Sequence, residues 1–160
     1  MKEELVQLAI RVPLGNGYYA RVDAADYHKI RGMKWTLSRN RGRFYAIHTP
    51  ATIRMHSVVF GGPAPDHIDN DGLNNVKSNL RAATRSQNAM NFQKRSSKCS
   101  SRFKGVCWIK RENKWKAYIT VQCKRVNLGQ FHDEWEAAQA YNTAALKHFG
   151  EYARLNERAA

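Results

Sequence analysis

Pro65-Asp66-His67-Ile68-Asp69-Asn70-Asp71-Gly72-Leu73-Asn74-Asn75-Val76-Lys77-Ser78-Asn79-Leu80-Arg81-Ala82-Ala83-Thr84-Arg85-Ser86-Gln87-Asn88-Ala89-Met90-Asn91 is the stretch on which the reading of this chain turns. Asn70-Asp71-Gly72 is turn chemistry, since Asn, Asp and Gly tolerate the backbone conformations a tight reversal needs. Thr84, followed three residues later by Gln87, forms a capping box, which predicts a helix starting after Thr84 with Asn88 on its second turn. Asn is a mediocre helix-interior residue unless its side chain has work to do.

The residue types in this stretch suit one chemistry. Hydrolysis of a phosphodiester needs a base for water, a hard cation against the developing charge, and oxygen ligands for that cation. His67 can be the base, because imidazole titrates near neutrality. Asp66 and the amide oxygen of Asn88 are hard donors for a Mg²⁺-like ion, and Asp69 and Asp71 are further candidates. The same residues also suit an ordinary solvated, Asn-rich turn, and on residue types alone both readings stand.

The rest of the chain supplies the charge. Its 160 residues carry 27 Lys and Arg against 13 Asp and Glu, a net +14, which favours a polyanionic partner, nucleic acid before an anionic membrane. Residues 56–91 are neutral, residues 1–55 carry +6, residues 92–132 carry +10, and residues 133–160 carry −2. No apolar run approaches the roughly 20 residues of a membrane span. Met1-Lys2-Glu3-Glu4, with no apolar stretch behind it, is no secretory leader, so an intracellular protein in the cytoplasm of a bacterial or phage-infected cell is expected. Cys99, Cys107 and Cys123 lack metal or disulfide spacing and read as reduced thiols.

Residues 1–55 read as short strands with one helix. Gly15-Asn16-Gly17 is a turn before a strand at Tyr18–Val22, and Asp23 is placed to cap a short helix from Ala24 to about Arg31. Trp35–Leu37 and Arg43–His48 form a second hairpin. Arg39, Arg41 and Arg43 near its tip suit either phosphate contact or plain solvation. Residues 92–101 have the Ser-rich, basic composition of a linker, in which Lys94 and Arg95 can lie along a phosphate backbone.

Beyond the linker, Phe103–Ile109, Trp115–Gln122 and Lys124–Leu128 read as three strands turning at Glu112-Asn113 and Gln122-Cys123. Trp115, Ala117, Ile119 and Val121 alternate with Lys116, Tyr118, Thr120 and Gln122. Val126 and Leu128 are expected to face inward, Arg125 and Asn127 outward. Asp133 with Glu136 caps a helix carrying Trp135, Ala138, Tyr141, Ala145 and Phe149 at helical spacing and ending at Gly150. That helix should cover the apolar sheet face, leaving the basic face bare for the DNA major groove.

Two resemblances sharpen these readings. Asp66-His67, Asn79 twelve residues after the His and Asn88 nine further on resemble the HNH endonuclease motif in its His-Asn-Asn form, as found in phage homing endonucleases. Ile53-Arg54-Met55-His56 precedes the motif as in that family, with Ser57 where Arg is usual. The resemblance implies a ββα-metal fold with one divalent ion per active site, Mg²⁺ or else Mn²⁺. It implies that His67 is the general base, that Asp66 and Asn88 bind metal, and that Asn79 fixes the loop and orients His67. The second resemblance is to the plant ethylene-response-factor (Apetala-two type) DNA-binding domain. It is carried by Phe103-Lys104-Gly105-Val106, Trp115-Lys116-Ala117-Tyr118-Ile119, Arg125–Phe131, Glu136–Ala145 and Leu155-Asn156. That likeness places DNA contacts at Lys104, Cys107, Ile109, Tyr118, Thr120, Arg125 and Asn127. Cys107, Ile109, Thr120 and Asn127 depart from the usual residues, so the plant target sequence does not carry over.

The expected architecture is α+β. A nuclease module spans residues 1–91, with a ββα-metal core at about 56–91 after the hairpin region 1–55. A basic linker at 92–101 joins it to a three-stranded antiparallel sheet packed on one helix at 102–157. The expected partner is double-stranded DNA, bound by a monomer or a dimer, with no membrane. The rival readings are a DNA-binding regulator with a degenerate nuclease module, which intact Asp66, His67, Asn79 and Asn88 oppose, and an RNA-binding protein, which the scarcity of aromatics on the exposed sheet face opposes.

Overall fold

The structure, a computed structural model, describes residues 8–40, 42–49, 51–62, 65–94 and 100–158. Arg41, Arg95 and Cys99 lie outside the described residues. The chain is mixed α+β and forms two compact units, Met1–Arg85 and Ser86–Ala160. Among the described residues no helix is long and apolar enough to cross a membrane.

In the first unit, β1 (Ala9–Gly15) and β2 (Tyr18–Asp23) form an antiparallel hairpin through Asn16 and Gly17, both at positive φ. Asn-Gly suits the mirror-image turn whose twist matches that of paired strands. Alternation puts Val12, Leu14, Ala20 and Val22 into the core. A second sheet joins β3 (Trp35–Asn40), β4 (Arg43–His48) and the two-residue β5 (Ile53–Arg54), which runs directly into helix α1 (Met55–Phe60). β6 (Pro65–His67) and β7 (Leu80–Ala82) make a third, two-stranded sheet, and α2 (Arg85–Met90) begins at the last residue of this unit and lies otherwise in the second. Ile30, Trp35, Ala46, Met55, Val59 and Leu80 complete one apolar cluster, each large side chain contributing about 1.5–3 kcal/mol by burial.

Two local expectations change here. The segment after Asp23 is a 3₁₀ helix at Ala24–Lys29, shorter than the expected helix, and Asp23 makes no side-chain cap bond. Its carboxylate is fully buried and instead accepts the main-chain N–H of Lys77 at 2.7 Å. A long-range amide has replaced the local one. The second hairpin also has a tighter turn than expected, because β3 continues pairing out to Asn40↔Arg43.

In the second unit, β8 (Val106–Ile109), β9 (Lys114–Val121) and β10 (Lys124–Phe131) form one antiparallel sheet in the order β10-β9-β8. Helix α3 (Glu134–Phe149) lays Ala137, Ala138, Tyr141, Ala144 and Ala145 against it. Asp133 Oδ1 accepts the Glu136 N–H at 2.9 Å, the expected cap. β8 starts later than expected because Gly105, at φ +74°, turns the chain beneath α3. A Cβ there would lie 2.1 Å from the Tyr141 ring. β10 runs further than expected, with a register shift between Asn127 and Gly129. Val126 pairs with Ile119 on the inner side but is 40% exposed, so it faces inward without being covered. Asn156 closes the unit, bonding both the N–H and the C=O of Lys104 and exchanging two bonds with Asn142.

Candidate active site and nucleic-acid face

Asp66 and His67 are consecutive residues of β6, and both are buried. β6 pairs with β7 as Asp66↔Arg81 and His67↔Leu80, so Asp66 shares its sheet face with Arg81. Arg81 donates to Asp66 Oδ2 from Nη2 at 3.0 Å and from Nε at 3.3 Å. The pair is nearly enclosed, with side chains 12% and 4% exposed. A buried carboxylate needs such a partner.

His67 sits among rings. His56 meets it nearly perpendicular with centroids 4.8 Å apart, and Tyr45 lies 6.2 Å from His67 and 6.0 Å from His56. The Arg54 guanidinium covers Tyr45 at 5.1 Å. His67 Nε2 is 3.2 Å from Asn75 Oδ1, and Asn75 is fully buried. Burial holds the His67 imidazole below its ordinary pKa of 6.5, opposed by the Asn75 bond and the carboxylates of Asp69, Asp66 and Asp71. His56 is pushed down to about 3 by burial first, then by His67 and Arg54.

The loop between β6 and β7 is built on Asn79 and Asp69. Asn79 Oδ1 accepts the Asp69 N–H at 3.1 Å, while its Nδ2 donates to Asp69 Oδ1 at 2.9 Å and to Asn74 O at 2.8 Å. Asp69 Oδ1 also accepts the Asp71 N–H, its Oδ2 takes Asn74 Nδ2, and Asp71 Oδ1 accepts the Leu73 N–H. Asp69 and Asp71 are thus engaged in shaping the loop. Gly72 lets that loop lie on β4, since a Cβ would come within 2.3 Å of Phe44 O. Asp66, His67 and Asn79 stand together on this hairpin, whereas Asn88, half-buried on α2, belongs to the second unit.

Asn75, which the sequence does not single out, hydrogen-bonds His67, and the neighbouring imidazole is His56. Only the Asn-Asn pair at 74–75 and the Met55-His56 run before the motif could have signalled them.

Donor chemistry decides which ion these residues suit. Among the described residues no three His, Cys, Asp or Glu side chains gather as a metal-binding group. A carboxylate and an amide oxygen are hard donors, too few to enclose an ion. Each is of the donor class that a Mg²⁺-like cation takes alongside waters or phosphate oxygens.

The predicted DNA residues of the second unit divide into two groups. Directly opposed residues of an antiparallel pair share a face. The pairs Cys107↔Lys116, Lys116↔Gln130, Tyr118↔Asn127 and Thr120↔Arg125 therefore form a single surface opposite the face that Ala117 and Ile119 bury under α3. Thr120, Arg125 and Asn127 are exposed on it, and the Arg125 guanidinium lies 4.4 Å over the Tyr118 ring. Lys94 and Lys104 are differently placed. Lys94 Nζ donates to Phe103 O and Val106 O at 2.8 and 2.9 Å, and Lys104 Nζ donates to Met90 O and Phe92 O at 2.5 and 2.8 Å. Burial, with Arg154 adding to it, lowers the Lys104 pKa to about 8.

No family model matches the chain. It is 32% identical over 152 residues to a mimivirus protein (Acanthamoeba polyphaga mimivirus) named "Uncharacterized HNH endonuclease L560", covering 89% of this chain and 77% of that protein. It is also 33% identical over 110 residues to Protein 3.8 of Escherichia phage T7, covering 64% of this chain and 89% of that one. With this identity running over most of both partners in the first alignment, the chain belongs to the HNH endonuclease family.

Proposed function

We propose that this protein is a divalent-metal-dependent, site-preferring DNA endonuclease of the homing type, in which His67 is the general base and the outer face of the β8–β10 sheet reads duplex DNA. The observation that carries the reading is the placement of a buried imidazole and a buried carboxylate in consecutive residues of one short hairpin, within an HNH family chain. His67 takes the proton from the attacking water, Asp66 and Asn88 supply oxygen donors, and Asn79 holds the loop that fixes His67's backbone through the Ile68 N–H to Asn79 O bond of 2.9 Å. When bound, Mg²⁺ would stabilise charge developing on the phosphate.

Incubation of the purified chain with supercoiled plasmid, with Mg²⁺ or with chelator, tests the reading. Nicked circles or linear product should form only with the metal. Asp66→Ala and Asn88→Ala should both lose activity, and excess Mn²⁺ should restore Asn88→Ala further, because Asp66 carries the charge. A metal titration of cleavage rate that is the same in both variants as in the parent chain removes both residues as ligands.

Binding experiments separate address from adhesion. Arg125→Ala should cost roughly 1–3 kcal/mol of discrimination between preferred and scrambled duplexes if the guanidinium reads a guanine edge. Lys116→Ala should weaken all sequences alike and reduce the salt slope by about one unit. Unchanged discrimination and unchanged salt slope would take the sheet out of DNA recognition.

A further inference from the structure

We infer that Asn75 is a positioning residue for the His67 base, fixing the imidazole as the tautomer that carries its proton on Nε2 and presents its lone pair on Nδ1. The inference rests on the reading of His67 as base and adds the atom that does the work.

The Asn75 amide is oriented by its own partners. Its two ends are distinguishable here, because Nδ2 donates to Leu73 O at 3.2 Å and points to Met55 Sδ at 3.5 Å. Turning the amide over would set its oxygen against a carbonyl oxygen and a thioether, neither of which donates. The oxygen must therefore face His67, where Oδ1 lies 3.2 Å from Nε2. An amide oxygen only accepts, so Nε2 must be the donor, and the neutral ring then has its lone pair on Nδ1.

The amide is held as firmly as the ring. The Asn75 N–H donates to Arg21 O at 2.8 Å and the Arg21 N–H donates to Leu73 O at 2.8 Å. The Lys77 N–H reaches buried Asp23 at 2.7 Å. β2 thus fixes residues 73–77, and Asn75 is fully buried among them. On the other side, the perpendicular ring of His56 at 4.8 Å opposes rotation of His67. The N-terminal hairpin, on this view, holds the base in register from 46 residues upstream of it in sequence, through Arg21.

Nitrogen NMR of the full chain labelled at histidine, recorded at neutral pH without DNA, reads the tautomer directly. Wild-type His67 should show the Nε2–H form alone. Asn75→Leu, which has no acceptor, should show a mixture of forms, and Asn75→Asp, which keeps one, should retain Nε2–H. In cleavage at saturating DNA, Asn75→Leu should lower kcat about 100-fold or more with KM little changed, since a base in the wrong tautomer loses up to about 10⁴ in comparable triads. Asn75→Asp should keep more of kcat than Asn75→Leu. A wild-type ring protonated on Nδ1, or a tautomer indifferent to residue 75, overturns the inference, and the wild-type spectrum decides even if Asn75→Leu does not fold. If the wild-type chain cuts no DNA, the nuclease reading falls separately, while the spectra still judge the Asn75 bond.

Discussion

His67→Ala is expected to lower the cleavage rate by about 10²–10⁴ while DNA affinity stays close to that of the parent chain. Two imidazoles meet in this site, His56 and His67, with ring centroids 4.8 Å apart. His56 is driven to a pKa of about 3 by burial, by His67 and by Arg54. A group that acidic holds a proton too weakly to take one from water near neutral pH. His67 is also lowered by burial, but Asn75 and three carboxylates oppose the shift. Its neighbour on β6 is the Asp66 carboxylate, which His56 lacks in sequence. Affinity should survive because His67 is 6% exposed and offers little surface to phosphate, while the basic outer sheet face belongs to the other unit. Because the ring also packs against His56 and Tyr45, thermal melting and His67→Gln accompany the measurement. A folded His67→Ala that turns over like the parent would falsify the assignment of the base.

What was legible in the sequence was local chemistry. Asn16-Gly17 marks a two-residue reversal whatever surrounds it, and Asp133 with Glu136 marks a helix start within one turn. The spacing of Asp66-His67 and Asn79 was legible too, because their hairpin closes over few residues. Asp23 shows where that logic stops. It sits at a helix start with the right side chain for a cap, yet an amide 54 residues away takes its carboxylate. Asn75 was hidden for the same reason. Its role depends on Met55, on β2 and on which way its amide faces, none of which spacing encodes. Arg81 reads as one more basic residue until β6–β7 pairing sets it beside Asp66.

Lys94 and Lys104 carry the lesson into the second unit. Linker composition lays Lys94 along a phosphate backbone and the family likeness puts Lys104 on DNA, but a lysine ammonium has three donors and goes wherever carbonyls converge. Here each reaches back across the stretch between them, Lys94 to the carbonyls of Phe103 and Val106, Lys104 to those of Met90 and Phe92. The segment beginning at Phe92, linker-like in composition, is thus tied at both described ends, since Ser100 and Ser101 also accept the N–H groups of Trp108 and Phe103. The same two ties bind the end of α2, the helix of Asn88, and the residues after it to the start of the β8–β10 sheet. Charge patterning tells how strongly a chain favours polyanions, and only the fold tells which cations remain exposed to meet them.

Stability should fall steeply as pH drops below about 6.5, and His56→Phe should remove much of that fall. In the unfolded chain His56 takes a proton near its ordinary value of 6.5, whereas in the fold it stays neutral down to about 3. The unfolded state therefore binds more protons between those limits, so the contribution of His56 is complete above pH 6.5 and is lost progressively as pH falls towards 3. Each pH unit in that window costs about 1.4 kcal/mol for one such group. From pH 6.5 to 5 the loss is about 2 kcal/mol, on the order of 10 °C in melting temperature for a unit of this size. His67, shifted in the same direction, adds to it. Phenylalanine keeps a ring against His67 and Tyr45 but has no proton to take, so the melting temperature of His56→Phe should vary less between pH 5 and 7.5. Confining the comparison to that range keeps it above the ordinary titration of the carboxylates. Parallel melting curves for the two proteins across those pH values would mean that His56 is charged as readily in the fold as outside it, and the neutral imidazole pair at the centre of the site would then be wrong.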